Sequence, residues 1–354
     1  MKRVLLVVVV ATLLVLAGCV DGVGTDVPAV ETDDSLDDAD SSESNDSDTE
    51  NGDREVDGEL EIHHIDVGQA DATLLIEPSG ETMLIDSGDW RQGGADVIDY
   101  LEAQDVDRID HLVATHGHAD HIGGHDEIIA FYETERDGIG TVYDSGVAAT
   151  SQTYDRYLDA IEDYDVELLI VEEDDQFEFG DATVTVRNPP AGDSGSDIHD
   201  NSVVLTIEFG NFSYLTTGDA EAGAEERIAE KYGDDLDADA YQAGHHGSST
   251  SSTTPFMNQV DPDVAIISSA YDSQYGHPHD EVLAEFADRG IETYWTAVHG
   301  DVVLTTDGDG YEVQTANEFS TDAGDILEEK PIDDDDTQDS LTHPIDVATA
   351  PLAG

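Results

Sequence analysis

Short apolar runs, and runs in which apolar and polar residues alternate, fill the chain from Glu59 onward. A period of two is typical of half-buried strands, and brief apolar runs bounded by turn residues are typical of buried strands. The pattern predicts strands at residues 60–67, 72–76, 83–85, 111–114, 183–187, 202–208, 212–216, 264–268, 292–295 and 301–305. Apolar residues at helical spacing predict helices at residues 95–103, 220–232 and 279–289. Two strand-rich halves with interspersed helices indicate an α/β fold in which sheets pack between helical layers.

The first 58 residues differ in character from the rest of the chain. Lys2-Arg3, an apolar run at residues 4–16 and the sequence Leu16-Ala17-Gly18-Cys19 are typical of a secretion signal with a lipobox, in which Cys19 carries the lipid. An uncleaved anchor helix is the alternative, although a membrane-spanning helix needs about 20 apolar residues. Either arrangement places the following residues at the extracellular face of the membrane.

Two acidic segments flank the expected domain. Residues 20–58 contain few apolar residues and predict a disordered tether, with a glycosylation sequon pattern at Asn45. Residues 317–354 are acidic again and predict a second disordered segment. The folded domain is therefore expected at residues 59–316, after a signal peptide at residues 1–19.

The charge balance is extreme, with 84 Asp plus Glu against 12 Lys plus Arg and a formal net charge of -72. At molar salt the Debye length falls to about 3 Å, so surface carboxylates scarcely repel one another. The acidity therefore indicates adaptation to a very salty medium. The basic residues are scattered, which argues against a nucleic-acid-binding patch. The single cysteine excludes an intramolecular disulfide and a cysteine-based zinc site.

The strongest chemical signal follows the strand predicted at residues 111–114. His116, His118, Asp120 and His121 place three imidazoles and a carboxylate within six residues. Nitrogen and oxygen ligands of this kind suit Zn²⁺ or a similar divalent ion. Four such side chains clustered after an apolar strand serve no packing purpose, so the segment predicts a metal site.

The motif resembles the HxHxDH signature of the metallo-β-lactamase superfamily, which implies an αββα sandwich of two mixed β-sheets between helical layers. The resemblance implies two divalent ions, Zn or Mn, with a bridging hydroxide. His116 and His118 would hold the first ion and Asp120 and His121 the second. Asp219, which follows the strand at residues 212–216 and a glycine, would bridge both ions.

At two places in the later motifs, two residues compete for the role of metal ligand. Asn201 stands where the superfamily commonly has a third histidine for the first ion, which favours a harder ion such as Mn²⁺, with His199 as the alternative ligand. His245 and His246 are adjacent, and successive side chains of an extended backbone point apart. His245 is therefore expected to bind metal, and His246 to support the site or contact substrate.

A closer resemblance is to the extracytoplasmic hydrolase domain of the ComEC, competence-related family, and it covers residues 59–307. It is carried by the segments at 65–72, 84–88, 201–202, 245–248 and 275–279. It implies catalytic roles for Asp120, Asp219 and His277, with His277 touching the substrate oxyanion or protonating a leaving group. The residues expected to support the ligands or contact the substrate are Asp66, Asp71, Asp86, Asn201, His246 and Ser248.

These inferences favour a metal-dependent phosphodiesterase or nuclease. Paired metal ions suit in-line displacement at phosphorus, and the expected substrate is a phosphoester, such as DNA. Hydrolysis of a small ester, lactone or β-lactam on the same site is the alternative, and a non-catalytic surface-binding lipoprotein is the alternative of another class. A lipid anchor on Cys19 is the expected link to the membrane, and no protein partner is expected.

Overall fold

The computed structural model describes residues 56–192 and 194–331. The expected signal peptide, Cys19 and Asn45 lie outside the described residues, as do nearly all of the predicted tether and the last 23 residues of the predicted tail. No helix in the described ranges is both long and apolar enough to cross a bilayer.

Fifteen strands among the described residues form two sheets. The strands of the first sheet are β1 (Leu60–His64), β2 (Thr73–Ile76), β3 (Thr82–Ile85), β4 (Ile109–Ala114), β5 (Ile139–Asp144), β6 (Glu167–Ile170), β14 (Val302–Thr306) and β15 (Tyr311–Thr315). Those of the second are β7 (Gln176–Phe179), β8 (Ala182–Asn188), β9 (Val204–Phe209), β10 (Phe212–Thr216), β11 (Ala240–Gln242), β12 (Val264–Ile267) and β13 (Glu292–Trp295).

Both sheets are mixed. The first has the order β15-β14-β1-β2-β3-β4-β5-β6, antiparallel from β15 to β3 and parallel from β3 to β6. The second has the order β13-β12-β11-β10-β9-β8-β7, parallel from β13 to β10 and antiparallel from β10 to β7. The parallel strands therefore lie in one half of each sheet, and the loops at their carboxyl ends contain the candidate site residues.

Eight α-helices are described: α1 (Ala95–Ala103), α2 (His125–Glu135), α3 (Gln152–Tyr164), α4 (Ala222–Tyr232), α5 (Thr254–Val260), α6 (Asp280–Arg289), α7 (Thr296–His299) and α8 (Ala323–Glu329). Helices α1 to α3 cover the outer face of the first sheet. Helices α4, α5, α6 and α8 cover that of the second.

The core has three layers because the central strands are buried on both faces. In β3, Met83 and Ile85 join the cluster between the sheets, whereas Leu84 joins the cluster under α1 to α3. Adjacent side chains of a strand point to opposite faces, so one short apolar run serves two layers. The αββα arrangement confirms the predicted fold class.

Helix α8 lies beyond the domain boundary predicted at residue 316. Its Ala323 and Ile326 are buried in the cluster formed by the second sheet and its helices. Asp322 accepts a hydrogen bond from the backbone N–H of Gly324 and caps the helix start. Two buried apolar side chains in an acidic stretch are too few to stand out as a pattern, which is why the sequence predicts a tail there.

Candidate metal centre

The metal-binding side chains of the motifs meet at the carboxyl ends of parallel strands. The segment from His116 to His121 follows β4 of the first sheet. Asp219 follows β10, the His245-His246 pair follows β11, and His277 lies in the loop after β12 of the second sheet. The two sheets face each other, so loops from both converge on one place.

The first group of side chains surrounds one oxygen of Asp219. His118 Nδ1 lies 3.0 Å from His116 Nε2 and 3.2 Å from His199 Nε2. Asp219 Oδ2 is 3.5 Å from His116 Nε2 and 4.0 Å from His199 Nε2. These four residues form a group that could hold an ion.

The second group surrounds the other oxygen. His121 Nε2 lies 3.1 Å from Asp219 Oδ1 and 3.2 Å from His246 Nε2. Asp120 Oδ2 is 3.5 Å from His246 Nε2, and Asp219 Oδ1 is 3.8 Å from the same nitrogen. The four side chains therefore turn one nitrogen or oxygen each toward a common centre.

Asp71 is grouped with His121, Asp219 and His246 by distance alone. Its Oδ2, however, lies 3.4 Å from Nδ1 of His246, the ring nitrogen that faces the carbonyl oxygen of Ser268. Asp71 therefore lies beside Nδ1 of His246, on the side of the ring away from the common centre, whereas Asp120 lies beside Nε2. We place Asp120, not Asp71, in the second group.

The arrangement fits divalent ions. Zn–N distances of about 2.0–2.1 Å in tetrahedral geometry put neighbouring ligand atoms about 3.3 Å apart, close to the separations within both groups. Asp219 is 2% exposed, and its Oδ1 accepts no hydrogen bond from any described residue. A buried carboxylate oxygen without a donor is costly unless a cation compensates it. The His/Asp cluster is thus suited to bind metal ions.

The pKa values of the site residues also support a metal centre. Burial lowers the pKa of His116 to about 4, so this imidazole is neutral, as a ligand must be. Burial also disfavours the charged form of Asp219, but His121, His246 and His116 outweigh it and hold the pKa of that carboxyl well below its usual range. Burial lowers the pKa of His246 as well, yet Asp71 and Asp219 raise it to about 9. The centre therefore favours positive charge.

The buried carboxylate of Asp86 orients His121 through the ring nitrogen that faces away from the centre. Asp86 Oδ2 lies 2.7 Å from Nδ1 of His121 and accepts the hydroxyl of Thr115, while its Oδ1 accepts the backbone N–H of Thr115. Such a contact directs Nε2 of His121 toward the centre. This is the supporting position that the sequence predicts for Asp86.

Gln242 supports Asp71 in turn, and the sequence reasoning missed it. Its Oε1 accepts hydroxyl groups of Thr73, Tyr214 and Thr216 at 3.3, 3.0 and 3.1 Å, and its Nε2 donates to Asp71 Oδ1 at 2.8 Å. A lone glutamine at the end of a strand gives no sequence signal, because its role depends on three hydroxyls from other strands.

The structure separates Asp66 from the site. Its side chain is exposed and accepts the backbone N–H of Gly68, and its own N–H donates to Asp301. The Ser248 hydroxyl lies 3.0 Å from the Thr250 hydroxyl, which lies 3.2 Å from His245 Nδ1, so Ser248 reaches the site only through Thr250. Neither side chain forms a hydrogen bond with a site histidine among the described residues.

His199 takes the place that the motif comparison assigns to Asn201. The Asn201 side chain donates to the carbonyl oxygens of Asp197 and Ser194 instead and so holds the turn that carries His199. The first group therefore has three histidines, and His199, the alternative ligand of the sequence analysis, is the third. The sequence could not decide this because the turn, not the spacing, aims His199 at His118.

His245 and His246 both face Asp219, because the backbone there is not extended. They lie in a 3-10 turn at Gly244–Gly247, with φ of 50° and 57°. His245 Nε2 is 3.5 Å from Asp219 Oδ2, and its Nδ1 is 3.2 Å from the Thr250 hydroxyl. The assumption of side chains pointing apart is therefore wrong, and His246 occupies the more buried place.

A cavity of about 430 Å³ opens over the two groups. It is lined by His118, Ala119, Asp120, His199, Asp219, His245, His246, Tyr275 and His277. Tyr275 is 57% exposed at this opening, and its ring lies 5.7 Å from that of His277. His277, one of the predicted site residues, thus lines the cavity although it is only 6% exposed.

Comparison with known proteins agrees with the geometry. Residues 65–270 match the Metallo-beta-lactamase superfamily. The chain is 28% identical over 260 residues to "ComE operon protein 3" of Bacillus subtilis (strain 168), covering 69% of this chain and 33% of that protein. It is 28% identical over 235 residues to "Competence protein ComA" of Neisseria gonorrhoeae, covering 66% and 30%. The chain thus spans about a third of the length of these relatives.

Among solved structures, the metallo-beta-lactamase fold protein YhfI from Bacillus subtilis aligns with 70% of this chain and 100% of its own, at 13% identity and a TM-score of 0.46. The family match includes every residue of both histidine groups, from His116 to His246. The chain belongs to the metallo-beta-lactamase superfamily.

Proposed function

We propose that this protein is a metal-dependent phosphodiesterase that acts on small or single-stranded phosphoester substrates such as DNA. The observation that supports it best is the division of Asp219, whose two oxygens face two separate groups of ligands. Two adjacent metal positions suit displacement at phosphorus, where attacking and leaving oxygens both need stabilisation. The resemblance of the sequence motifs to the ComEC-family hydrolase domain also supports it.

In this proposal His116, His118, His199 and Asp219 hold the first ion. Asp120, His121, His246 and Asp219 hold the second, with His246 chosen over His245 on burial. When bound, divalent ions would supply Lewis acidity and lower the pKa of a water molecule. Zn²⁺ and Mn²⁺ both accept this set of nitrogen and oxygen ligands.

His277 and Tyr275 belong to the substrate side of the cavity in this proposal. Burial, together with His246, His279 and His245, lowers the pKa of His277 to about 3, so its ring is neutral. A neutral imidazole can donate a hydrogen bond to a phosphoryl oxygen. The exposed ring of Tyr275 offers a surface on which a base could stack.

The described residues form no basic groove, which limits the size of the substrate that the site could bind. No Lys or Arg among the described residues lines the cavity. Most of the described basic side chains are paired with carboxylates instead: Arg91, Arg108, Arg136, Arg156, Lys231, Arg289 and Lys330. A long duplex needs many phosphate contacts, so this cavity favours small or single-stranded substrates.

The test is turnover by the purified full chain in molar salt with added Zn²⁺ or Mn²⁺. We expect hydrolysis of bis-p-nitrophenyl phosphate and of single-stranded DNA, but not of p-nitrophenyl esters or nitrocefin. His118→Ala and Asp219→Ala remove ligands and should lower the rate by a factor on the order of 100 or more while folding is retained. Asp99→Asn, an exposed change on α1, is the matched control and should leave the rate unchanged.

The other outcomes separate the alternatives. Turnover of esters or nitrocefin alone would support the small-substrate hydrolase. A folded chain that binds no metal and hydrolyses none of these compounds would support the non-catalytic binding protein. Unchanged phosphodiester turnover in both ligand variants would disprove the proposed site.

We also propose that Cys19 carries a lipid that holds the protein at the extracellular face of the membrane. The support is the lipobox pattern of residues 16–19. Wild type should partition into the detergent phase of a cell extract and be cut by protease added to intact cells. Cys19→Ala should lose the detergent partitioning, and retention of both properties by this variant would favour an uncleaved anchor helix.

A further inference from the structure

Gln69 joins the two halves of the cavity wall and has no part in the function proposed so far. It lies in the loop between β1 and β2, whereas its partners lie in the loop between β12 and α6. Its Oε1 accepts the backbone N–H of Ala270 at 3.4 Å, and its Nε2 lies 3.3 Å from Nδ1 of His277. One amide thus makes two contacts that cross between the sheets.

These contacts determine which end of the amide faces His277. A backbone N–H can only donate, so the Gln69 atom at Ala270 must be the carbonyl oxygen. The amide nitrogen is then the atom at His277, and it has protons to donate but no lone pair to accept with. Nδ1 of His277 must therefore accept and so bears no proton, which places the one proton of the ring on Nε2.

The protonated nitrogen has no hydrogen-bond partner among the described residues. His277 itself lines the cavity, and among those residues the one hydrogen bond of its ring is the contact between Nδ1 and Gln69. The His277 ring stacks against that of His246 at a centroid distance of 6.2 Å and an angle of 25°, beside the proposed second ion. A donor with no protein partner at this position is free for a substrate atom.

We propose that Gln69 is a positioning residue that holds His277 in the tautomer with its proton on Nε2, and that His277 donates this proton in a hydrogen bond to a phosphoryl oxygen of the substrate. This inference rests on the proposed phosphodiesterase function. It assigns His277 a role in binding the oxyanion, because a neutral imidazole N–H is too weak an acid to protonate a leaving group. It also gives a reason for glutamine, and not glutamate, at position 69.

Gln69→Glu replaces the hydrogen-bond donor opposite His277 Nδ1 with an acceptor and changes the shape of the side chain little. One carboxylate oxygen can still accept from Ala270, but the other can only accept from His277. The ring proton should therefore move to Nδ1, and Nε2 should present a lone pair to the substrate. Gln314→Glu, an exposed change on the edge strand β15, adds the same charge and is the matched control.

The direct measurement is the ring ¹⁵N spectrum of the full chain with labelled histidine, without metal and with Zn²⁺, at about pH 9. The His277 signals are identified by their loss in His277→Asn. In wild type and Gln314→Glu we expect a protonated Nε2 and an unprotonated Nδ1, and in Gln69→Glu the reverse. The value of kcat/KM for bis-p-nitrophenyl phosphate should fall by about 10- to 100-fold in Gln69→Glu, with metal content unchanged.

Each result decides the matter. A wild-type His277 protonated on Nδ1, or a Gln69→Glu ring that keeps its proton on Nε2, overturns the positioning role. An inverted ring with unchanged kcat/KM overturns the hydrogen bond to substrate. A wild type that hydrolyses no phosphodiester disproves the proposed function, and the spectra still decide whether Gln69 sets the tautomer.

Discussion

Asp219 distributes its two carboxylate oxygens between two sets of imidazoles. Oδ1 faces His121 and His246, and Oδ2 faces His116, His199 and His245. Its backbone position follows Gly218, whose φ of 49° a side chain would strain. A side chain at 218 would also meet Thr115 at 2.9 Å, so glycine is what allows β10 to approach the HxHxDH segment closely.

The adjacent histidines differ in what they face, which leads to a prediction about metal content. His246→Ala should reduce the bound metal from about two ions to about one per chain, because the lost Nε2 faces Asp120, His121 and Asp219. His245→Ala should keep about two, since this ring lies at the edge of the first group. Metal content after dialysis against metal-free molar salt is the measurement.

His245→Ala is the matched control for His246→Ala, as the same side chain is removed one residue away. If instead His245→Ala loses an ion and His246→Ala retains both, the ligand is the one that the sequence predicts. Far-ultraviolet circular dichroism of each variant would establish that both remain folded.

The elements vary in how well a sequence alone predicts them. Helix α1 and strands β10 and β13 have the predicted bounds, because their apolar residues recur at one clear period. Helix α3 was missed, because its buried Tyr154, Tyr157 and Ile161 are interleaved with acidic residues. Strand β6 was missed because it is an edge strand whose Ile170 is 58% exposed.

The site residues also differ in how well the sequence alone predicts them. The residues from His116 to His121 could be read because they are contiguous and come directly after an apolar strand. Asp219 could be read from a strand followed by Gly-Asp. His199 and Gln242 could not, because each is an isolated polar residue whose position depends on a turn or on side chains from other strands.

At the scale of the whole molecule, the surface charge sets the conditions for stability. A formal net charge of -72 repels itself, and the Debye length falls from about 10 Å at 0.1 M salt to about 3 Å at 1 M. The described ion pairs are too few to offset so many acids. The apolar layers between and around the sheets carry no charge and do not need salt.

We therefore expect the thermal unfolding midpoint to rise by more than about 10 °C between 0.1 and 1 M NaCl, and to rise far less between 1 and 3 M. Circular dichroism at each concentration measures it. Sucrose at equal osmolality is the control, since it stabilises without screening charge. A midpoint that is the same at 0.1 and 1 M NaCl, or that rises equally with sucrose, would contradict the role of screening.

Each group of ligands draws equally on the two sheets. The first takes His116 and His118 from one and His199 and Asp219 from the other, and the second takes Asp120 and His121 from one and Asp219 and His246 from the other. Since the lone cysteine forms no internal crosslink, an ion bound at either position would be a crosslink between the two sheets. Chelation would remove both crosslinks together, and the contact between the two sheets would then depend on its buried apolar side chains alone.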